Sequence, residues 1–174
     1  MTISYAPRAI ARPDLSELFR QSRADLERYA GRLVWDEATA EDIVSTAFML
    51  AASKMPLDHP QPVGWLFRTI KNLARDEARR RLREHSTTRD HAVIGSGDHD
   101  RSDIDRVRGL IDRLPPSDRE VLQLTYWDEL TAAEASVVVG CSESAYWKRL
   151  SRAKARLRRA WGRDAETEKV RNLE

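Results

Sequence analysis

The most regular hydrophobic pattern of the chain lies between Ser144 and Arg163. Apolar residues recur there every three or four positions, so they share one side of a helix. They are Tyr146, Leu150, Ala153, Leu157 and Trp161. The same stretch contains no Asp or Glu, and its basic residues are Lys148, Arg149, Arg152, Lys154, Arg156, Arg158, Arg159 and Arg163. The pattern predicts an amphipathic helix with an apolar inner side and a basic outer side, which carries Trp147, Lys148, Ser151 and Arg152.

A second, shorter helix is predicted immediately before the basic one, from Thr131 to Val139. Thr131 and Glu134 have the spacing of a capping box, Gly140 ends the helix, and Ser142 can cap the next one. Two helices joined by a tight turn, the second of them basic, predict a helix-turn-helix. A solvated charged face is the alternative for any basic helix, but the turn, the caps and the absence of acids favour DNA binding.

The first half of the chain predicts a three-helix bundle. Apolar spacing indicates a helix over 15–33, a second one opening at Thr39 to Asp42, and a third from about Trp65 to Glu84. The breakers between the second and third helices are Pro56, Pro60, Pro62 and Gly64. The third helix carries a polar, mostly basic stripe formed by Arg68, Lys71, Asn72, Arg75 and Arg79.

Composition marks a flexible linker at 86–103, which is rich in Ser, Thr, Gly, Asp and His. Helical spacing resumes at Ile104 and stops at Pro115-Pro116, and a further helix is expected from a capping box at Ser117 to Glu120. We therefore expect an all-α protein of two small helical domains. The predicted segments are a three-helix domain at 14–85, the linker at 86–103, a four-helix domain with the helix-turn-helix at 104–163, and flexible tails at 1–13 and 164–174.

The distribution of charged residues along the chain is more informative than the net charge. The 174 residues include 30 Lys and Arg against 28 Asp and Glu, a net charge of only +2. The basic residues concentrate in two blocks, 68–83 and 148–163, which predicts two cationic surfaces. No apolar run approaches the roughly 20 residues of a membrane span, and the N-terminus does not resemble a secretory signal, so we expect a soluble, cytoplasmic protein.

Catalytic and metal-binding patterns are weak in this sequence. We find no nucleophile paired with a base, no carboxylate cluster and no phosphate-binding loop, so we predict no catalytic residue and no cofactor. His85, His91 and His99 lie among aspartates but match no structural zinc spacing, so we predict no metal site. The single cysteine, Cys141, excludes an internal disulfide and is interpreted as a small buried apolar residue rather than a redox switch.

Both halves of the chain resemble the extracytoplasmic-function (ECF) sigma factors, a class of bacterial transcription initiation factor. The first carries Trp65-Leu-Phe-Arg-Thr-Ile-Lys-Asn-Leu-Ala-Arg-Asp76 followed by Arg79 and Arg80, similar to the promoter-melting helix of that family. The second carries Leu114-Pro-Pro-Ser-Asp-Arg-Glu-Val-Leu122, Gly140-Cys-Ser-Glu143 and Arg149-Leu-Ser-Arg-Ala153, similar to its final domain. The resemblance implies a non-catalytic protein that binds the clamp and flap regions of core RNA polymerase and directs it to promoter DNA.

The resemblance also implies three groups of functional residues. Those at the minus-ten element would be Trp65, Arg68, Lys71, Asn72, Arg75, Asp76 and Arg79. Those at the minus-thirty-five element would be Trp147, Lys148, Arg149, Ser151 and Arg152. Those at the core polymerase would be Asp42, Ser45, Thr46 and Met49. Asn72 occupies the family position of an amide that holds a flipped base, a task that requires both a donor and an acceptor.

Several interpretations stay open at this point. Asn72 is alternatively an amide that caps a loop, and Trp65 is either an aromatic plug of the core or a stacking platform for a base. The sequence departs from the family at Tyr146-Trp147, where a small branched residue followed by a polar one is usual, and at Ser45-Thr46. A stand-alone DNA-binding regulator is the competing function, although it leaves the first domain without a role. A cognate anti-sigma factor is a further candidate partner that the sequence does not decide.

Overall fold

The computed structural model describes residues 15–56, 58–84 and 103–171, of which 103–105 and 164–171 are described only as helical backbone. These residues form seven helices and no strand, which confirms the predicted all-α class. The chain divides into two compact units, Met1–Arg81 and Leu82–Glu174, and the division falls in the last turn of a helix. The predicted N-terminal tail and residues 86–102 of the predicted linker, with His91 and His99, lie outside the described residues, whereas Asp103, the last residue of that linker, begins a helix.

Three helices form the first unit: α1 (Leu15–Leu33), α2 (Glu37–Lys54) and α3 (Pro62–Glu84). Each contributes an apolar stripe to a common core, as the three-to-four spacing predicted. Phe19 of α1 meets Phe48 of α2 edge to face with ring centroids 4.8 Å apart, and Tyr29 of α1 lies 4.7 Å from Phe67 of α3. Aromatic pairs at such separations stabilise the packing beyond the area they bury.

The helix α2 begins earlier than the sequence analysis predicted. Asp36, not Thr39, is its N-cap: the Asp36 carboxylate accepts a hydrogen bond from the Thr39 backbone N–H at 2.8 Å and another from the Thr39 hydroxyl. The prediction was wrong because Asp36-Glu37-Ala-Thr39 offers a cap one turn before the apparent one. An ionised side chain at the N-cap satisfies a free N–H group and interacts favourably with the helix dipole.

The start of α3 also lies before its predicted position at Trp65. Pro62 and Gly64, read as breakers, belong to the first turn, where a proline has no N–H to leave unsatisfied and already has a helical φ. The preceding loop is held by its own side chain, since the Nδ1 atom of His59 accepts a hydrogen bond from the Gln61 N–H at 3.1 Å. This hydrogen bond restricts the conformation of the loop that leads to Trp65.

Four helices form the second unit: α4 (Asp103–Asp112), α5 (Pro116–Tyr126), α6 (Ala132–Val139) and α7 (Glu143–Arg171). The long helix α7 packs against each of the other three. Tyr146, Leu150 and Ala153 are buried in this contact, and Leu122 and Leu124 of α5 are buried with them. The core of the unit is thus built around the apolar side of the basic helix.

Two local predictions for the second unit were wrong. No capping box forms at Ser117 to Glu120, because α5 starts at Pro116 with Pro115 as its N-cap and without a side-chain cap. Proline pre-sets the φ of a first turn, so the helix starts there without one. The helix α7 continues to Arg171, although 164–174 was expected to be a flexible tail.

Candidate nucleic-acid interface

The predicted helix-turn-helix is present and its turn is defined by three local devices. The Thr131 hydroxyl accepts from the Glu134 N–H, and the Glu134 carboxylate accepts from the Thr131 N–H at 2.9 Å, which completes the capping box. Gly140 ends α6 in the left-handed conformation, with φ 74°. Ser142 accepts from the Ala145 N–H at 3.3 Å and caps α7. The sequence analysis identified all three correctly.

The inner side of α7 is fixed by Tyr146, which is only 1 % exposed. Its hydroxyl donates to the Val121 carbonyl at 3.0 Å and lies 2.8 Å from the Thr125 hydroxyl, so one phenol joins α7 to α5. Burial raises the pKa of Tyr146, and the Thr125 hydrogen bond opposes that shift. The large residue at this position therefore serves the packing of α7 against α5.

The outer side of α7 presents the residues that were assigned to the minus-thirty-five element. All five are exposed, and Trp147 is the largest apolar group among them at 55 % exposure. Within the described chain, Lys148, Arg149 and Arg152 form no ion pair or hydrogen bond. The arginines of α1 behave differently, because Arg20 and Arg23 each bind a carboxylate of their own helix. These three charges of α7 thus have no anionic partner among the described residues.

Other cations of the second unit bind the protein itself. Arg156 forms an ion pair with Asp118, whose side chain is buried at the start of α5. The Arg106 guanidinium lies over the Trp161 ring, 4.6 Å from its centroid, and connects α4 to the distal part of α7. The sequence analysis treated Arg156 as one of a uniform set of basic residues and read Asp118 as part of a capping box.

A second polar surface runs along α3, opposite the buried Leu66, Phe67, Ile70 and Ala74. It bears the residues assigned to the minus-ten element. Of these, Arg68, Asn72, Arg75, Asp76 and Arg79 are exposed, whereas Trp65 and Lys71 are half-buried. The structure thus brings all seven onto one helix.

The Asn72 amide has no hydrogen-bond partner in the described part of the chain, and it lies in the middle of α3, away from any loop. The alternative role of Asn72 as a loop cap therefore has no support. Arg79 lies 3.6 Å from Asp76, so one cation of the surface is partly neutralised.

Near the end of α3, Arg81 binds carboxylates of the first unit and is therefore not available to bind DNA. Arg81 binds Glu77 at 2.8 Å and Asp36, the N-cap of α2, at 2.9 Å. Hydrogen bonds from Arg80 and then Arg81 lower the pKa of Glu77 to about 2. The Thr39 N–H, followed by Arg81, lowers the pKa of Asp36. This cluster connects α3 to the start of α2, and spacing within a single helix could not reveal it.

The residues assigned to core polymerase lie together on α2. Asp42, Ser45 and Met49 are exposed and Thr46 is half-buried. Met49 is 66 % exposed although it is apolar, which singles it out on a helix whose other large apolar residues face the core. A flexible thioether surrounded by polar groups is typical of adaptable protein-binding surfaces.

Other kinds of site have little basis in the residues described. There, no group of three or more His, Cys, Asp or Glu side chains is arranged to hold a metal ion. Cys141 is a half-buried thiol in the turn before α7. No helix in the described ranges is long and apolar enough to cross a membrane.

Comparison with known proteins identifies both units. The model of sigma-70 region 2 matches residues 18–84, and that of sigma-70 region 4 matches residues 104–157. The ECF RNA polymerase sigma factor SigM of Bacillus subtilis is 27% identical over 161 residues, covering 88% of this chain and 99% of SigM. SigL of Mycobacterium tuberculosis is 30% identical over 162 residues, covering 81% of this chain and 85% of SigL.

Solved structures agree on the fold. The sigma factor RpoE of Bartonella quintana, solved in complex with the anti-sigma factor NepR, matches with a TM-score of 0.58 at 22% identity, covering 86% of this chain and 97% of RpoE. At that identity the likeness shows the fold alone. The two family regions in this order, with the similarity to SigL, show that this chain belongs to the ECF RNA polymerase sigma factors and is a transcription initiation factor, not an enzyme.

Proposed function

We propose that the two units divide promoter recognition in this sigma factor. The exposed face of α7 reads the duplex minus-thirty-five element, and the exposed face of α3 captures the opened minus-ten element. The observation that carries this proposal is that Lys148, Arg149 and Arg152 project from a helix-turn-helix with no anionic partner in the described chain. We place this activity in the cytoplasm, where promoter DNA lies.

The chemistry of α7 suits a major groove. Arg and Lys side chains bond the O6 and N7 atoms of guanine, and cations at the edges of the helix bind phosphates. Arg149, Arg152 and Lys148 occupy the first turns of α7, the part of a recognition helix that enters the groove. Arg156 is excluded from this role because it binds Asp118.

The chemistry of α3 suits a single strand. A flipped base exposes its pairing edge, and the Asn72 amide can both donate to that edge and accept from it. Arg75, one turn away, can only donate and is exposed, as suits a phosphate contact. Trp65 is half-buried at the start of the same helix, so part of its side chain is accessible for stacking on a base.

The exposed surface of α2 supports a third role. We propose that Asp42, Ser45, Thr46 and Met49 bind the clamp of core RNA polymerase, with Met49 as the apolar anchor. The polar residues around it would set the orientation of the complex. Membership in the family also supports a cognate anti-sigma factor as a further partner.

Asn72→Ala tests the minus-ten assignment. Permanganate footprinting measures promoter opening by the variant holoenzyme on a duplex promoter and on a template already unpaired across the minus-ten element. We expect core polymerase binding to be intact and opening of the duplex to be reduced. The unpaired template should recover only the melting part of that loss, because the base contact is still missing.

Arg75→Ala is the matched control, since it removes an exposed polar side chain from the same face of α3. It should weaken binding equally on all minus-ten sequences and reduce the salt dependence of binding, because a phosphate contact carries no base information. Unchanged opening and unchanged base preference in Asn72→Ala would refute the role of Asn72. Failure of the wild-type protein to co-elute with core polymerase would refute the proposal as a whole.

A further inference from the structure

The indole of Trp147 is exposed in an unusual way for so large an apolar group. It is 55 % exposed, and it is the only large apolar side chain with such exposure on the described part of α7. Two of its neighbours on the same face, one turn before and one turn after, are Ser144 and Ser151, both small and exposed. They leave the ring more than half exposed, although Glu143 also lies beside it, at its N–H edge.

The polar edge of the indole is already occupied. The Trp147 Nε1–H donates to the Glu143 carboxylate at 3.4 Å, one turn earlier on α7. Tryptophan has no other hydrogen-bonding group in its side chain. What Trp147 presents to a ligand is thus an apolar surface rather than a donor, although it lies on a helix side that is otherwise polar and cationic.

The major groove offers one apolar group on its base edges, which is the C5-methyl group of thymine. Guanine and adenine present polar groups there, and cytosine presents its N4 amino donor beside a C5–H, so none of these three bases offers the indole a methyl group. The flanking Lys148 has the opposite chemistry and suits guanine or phosphate. Two adjacent residues of α7 therefore differ in the kind of base edge they can contact.

We propose that Trp147 is a specificity-determining residue that selects thymine in the minus-thirty-five element by packing against its C5-methyl group. Glu143 is a positioning residue that holds the indole in place. This inference rests on the proposed placement of α7 in the major groove. It adds a base preference that the cations of the helix do not provide.

The test exploits a change of one methyl group. A promoter fragment that the holoenzyme transcribes is prepared with each thymine of the minus-thirty-five element replaced in turn by uracil, which leaves every hydrogen-bonding group unchanged. Binding of the wild-type holoenzyme is measured at fixed salt. At one position, uracil should weaken binding about fourfold, the factor expected for removing one buried methyl group. The Trp147→Ala holoenzyme should bind the thymine and uracil fragments equally.

Two further variants separate positioning from folding. Glu143→Ala should reduce the preference for thymine over uracil, and Glu143→Gln, which keeps an acceptor for the indole N–H, should restore it. Trp127→Ala is the matched control, because it removes an indole from the same unit but at the C-cap of α5, outside the helix-turn-helix. It should leave the thymine preference unchanged.

The outcomes distinguish this inference from the proposal beneath it. If wild-type binding is the same for thymine and uracil at every position, or if Trp147→Ala keeps the preference, the role of Trp147 is refuted. If Lys148→Ala and Arg152→Ala still weaken duplex binding in that case, α7 remains the recognition helix. If neither variant changes duplex binding, the placement of α7 in the groove fails as well.

Discussion

The hydroxyl group of Tyr146 tests how much the contact between α7 and α5 contributes to the stability of the second unit. Tyr146→Phe keeps the ring and its packing but removes the hydroxyl, which bonds the Val121 carbonyl and the Thr125 hydroxyl of α5. We expect the second unit to lose stability without losing its fold. The first unit, whose core does not include this residue, should be unaffected.

The structure sets the size of this effect. The Thr125 hydroxyl lies 2.9 Å from the Val121 carbonyl, so it can donate its one proton to that carbonyl after the hydroxyl of Tyr146 is removed. No buried group is orphaned, and the loss should be about 1 kcal/mol, the net value of an ordinary hydrogen bond. Tyr146→Ala leaves a cavity in addition and should cost roughly 3–5 kcal/mol, as for other aromatic truncations.

Hydrogen exchange followed by mass spectrometry is the assay, because it reads the two units of the intact chain separately. Peptides from α5 and α7 should exchange faster in Tyr146→Phe, and peptides from α1 should not change. Thr125→Val completes a double-mutant cycle that isolates the coupling between the two hydroxyl groups. Unchanged exchange in α5 and α7, or an equal increase in α1, would refute the reasoning.

Alkaline pH gives an independent check on the same group. Burial raises the folded-state pKa of Tyr146 above its ordinary value of 10.0. A raised pKa means that the folded state holds the proton more tightly than the unfolded state, so this contribution is complete below pH 10. It is lost as the pH rises through the folded-state pKa. The stability difference between wild type and Tyr146→Phe should therefore shrink as the pH rises from 10.0 towards the folded-state pKa of Tyr146.

Three further substitutions test local geometry and charge. Gly140→Ala should destabilise the second unit by about 1 kcal/mol, because an L-residue is strained at a left-handed φ. Gly109→Ala should stabilise the second unit by roughly 0.5–1 kcal/mol, since Gly109 lies inside α4 and a Cβ atom there would meet no atom within 4 Å. If the two glycine variants shifted the melting temperature by the same amount in the same direction, both predictions would be contradicted. Glu77→Gln should lower the stability of the protein above pH 4.5, because the pKa of Glu77 in the folded state is lowered to about 2. The stability difference between this variant and wild type should vanish as the pH falls from 4.5 towards 2. Thermal melts across that pH range measure the difference.

Local signals allowed much of the architecture to be predicted. The capping box of α6, the left-handed Gly140 and the Ser142 cap involve residues no more than four positions apart, and each was predicted correctly. Apolar periodicity likewise identified the buried side of α7. Helix starts were harder, because Asp36 and Thr39 are both plausible caps within one turn, and the backbone uses only one of them.

The sequence by itself determined which side of each helix is apolar, where the turn of the helix-turn-helix lies, and that residues 144–163 of α7 are basic and contain no acid. These properties follow from the period of the helix and from contacts within one turn. The tertiary structure alone decided which cations are available. Arg156 binds Asp118, 38 positions away, and Arg81 binds Asp36, 45 positions away. Arg149 and Arg152, by contrast, have no ion-pair partner among the described residues. Such pairs depend on the angle and register at which helices pack, and side-chain type does not set these.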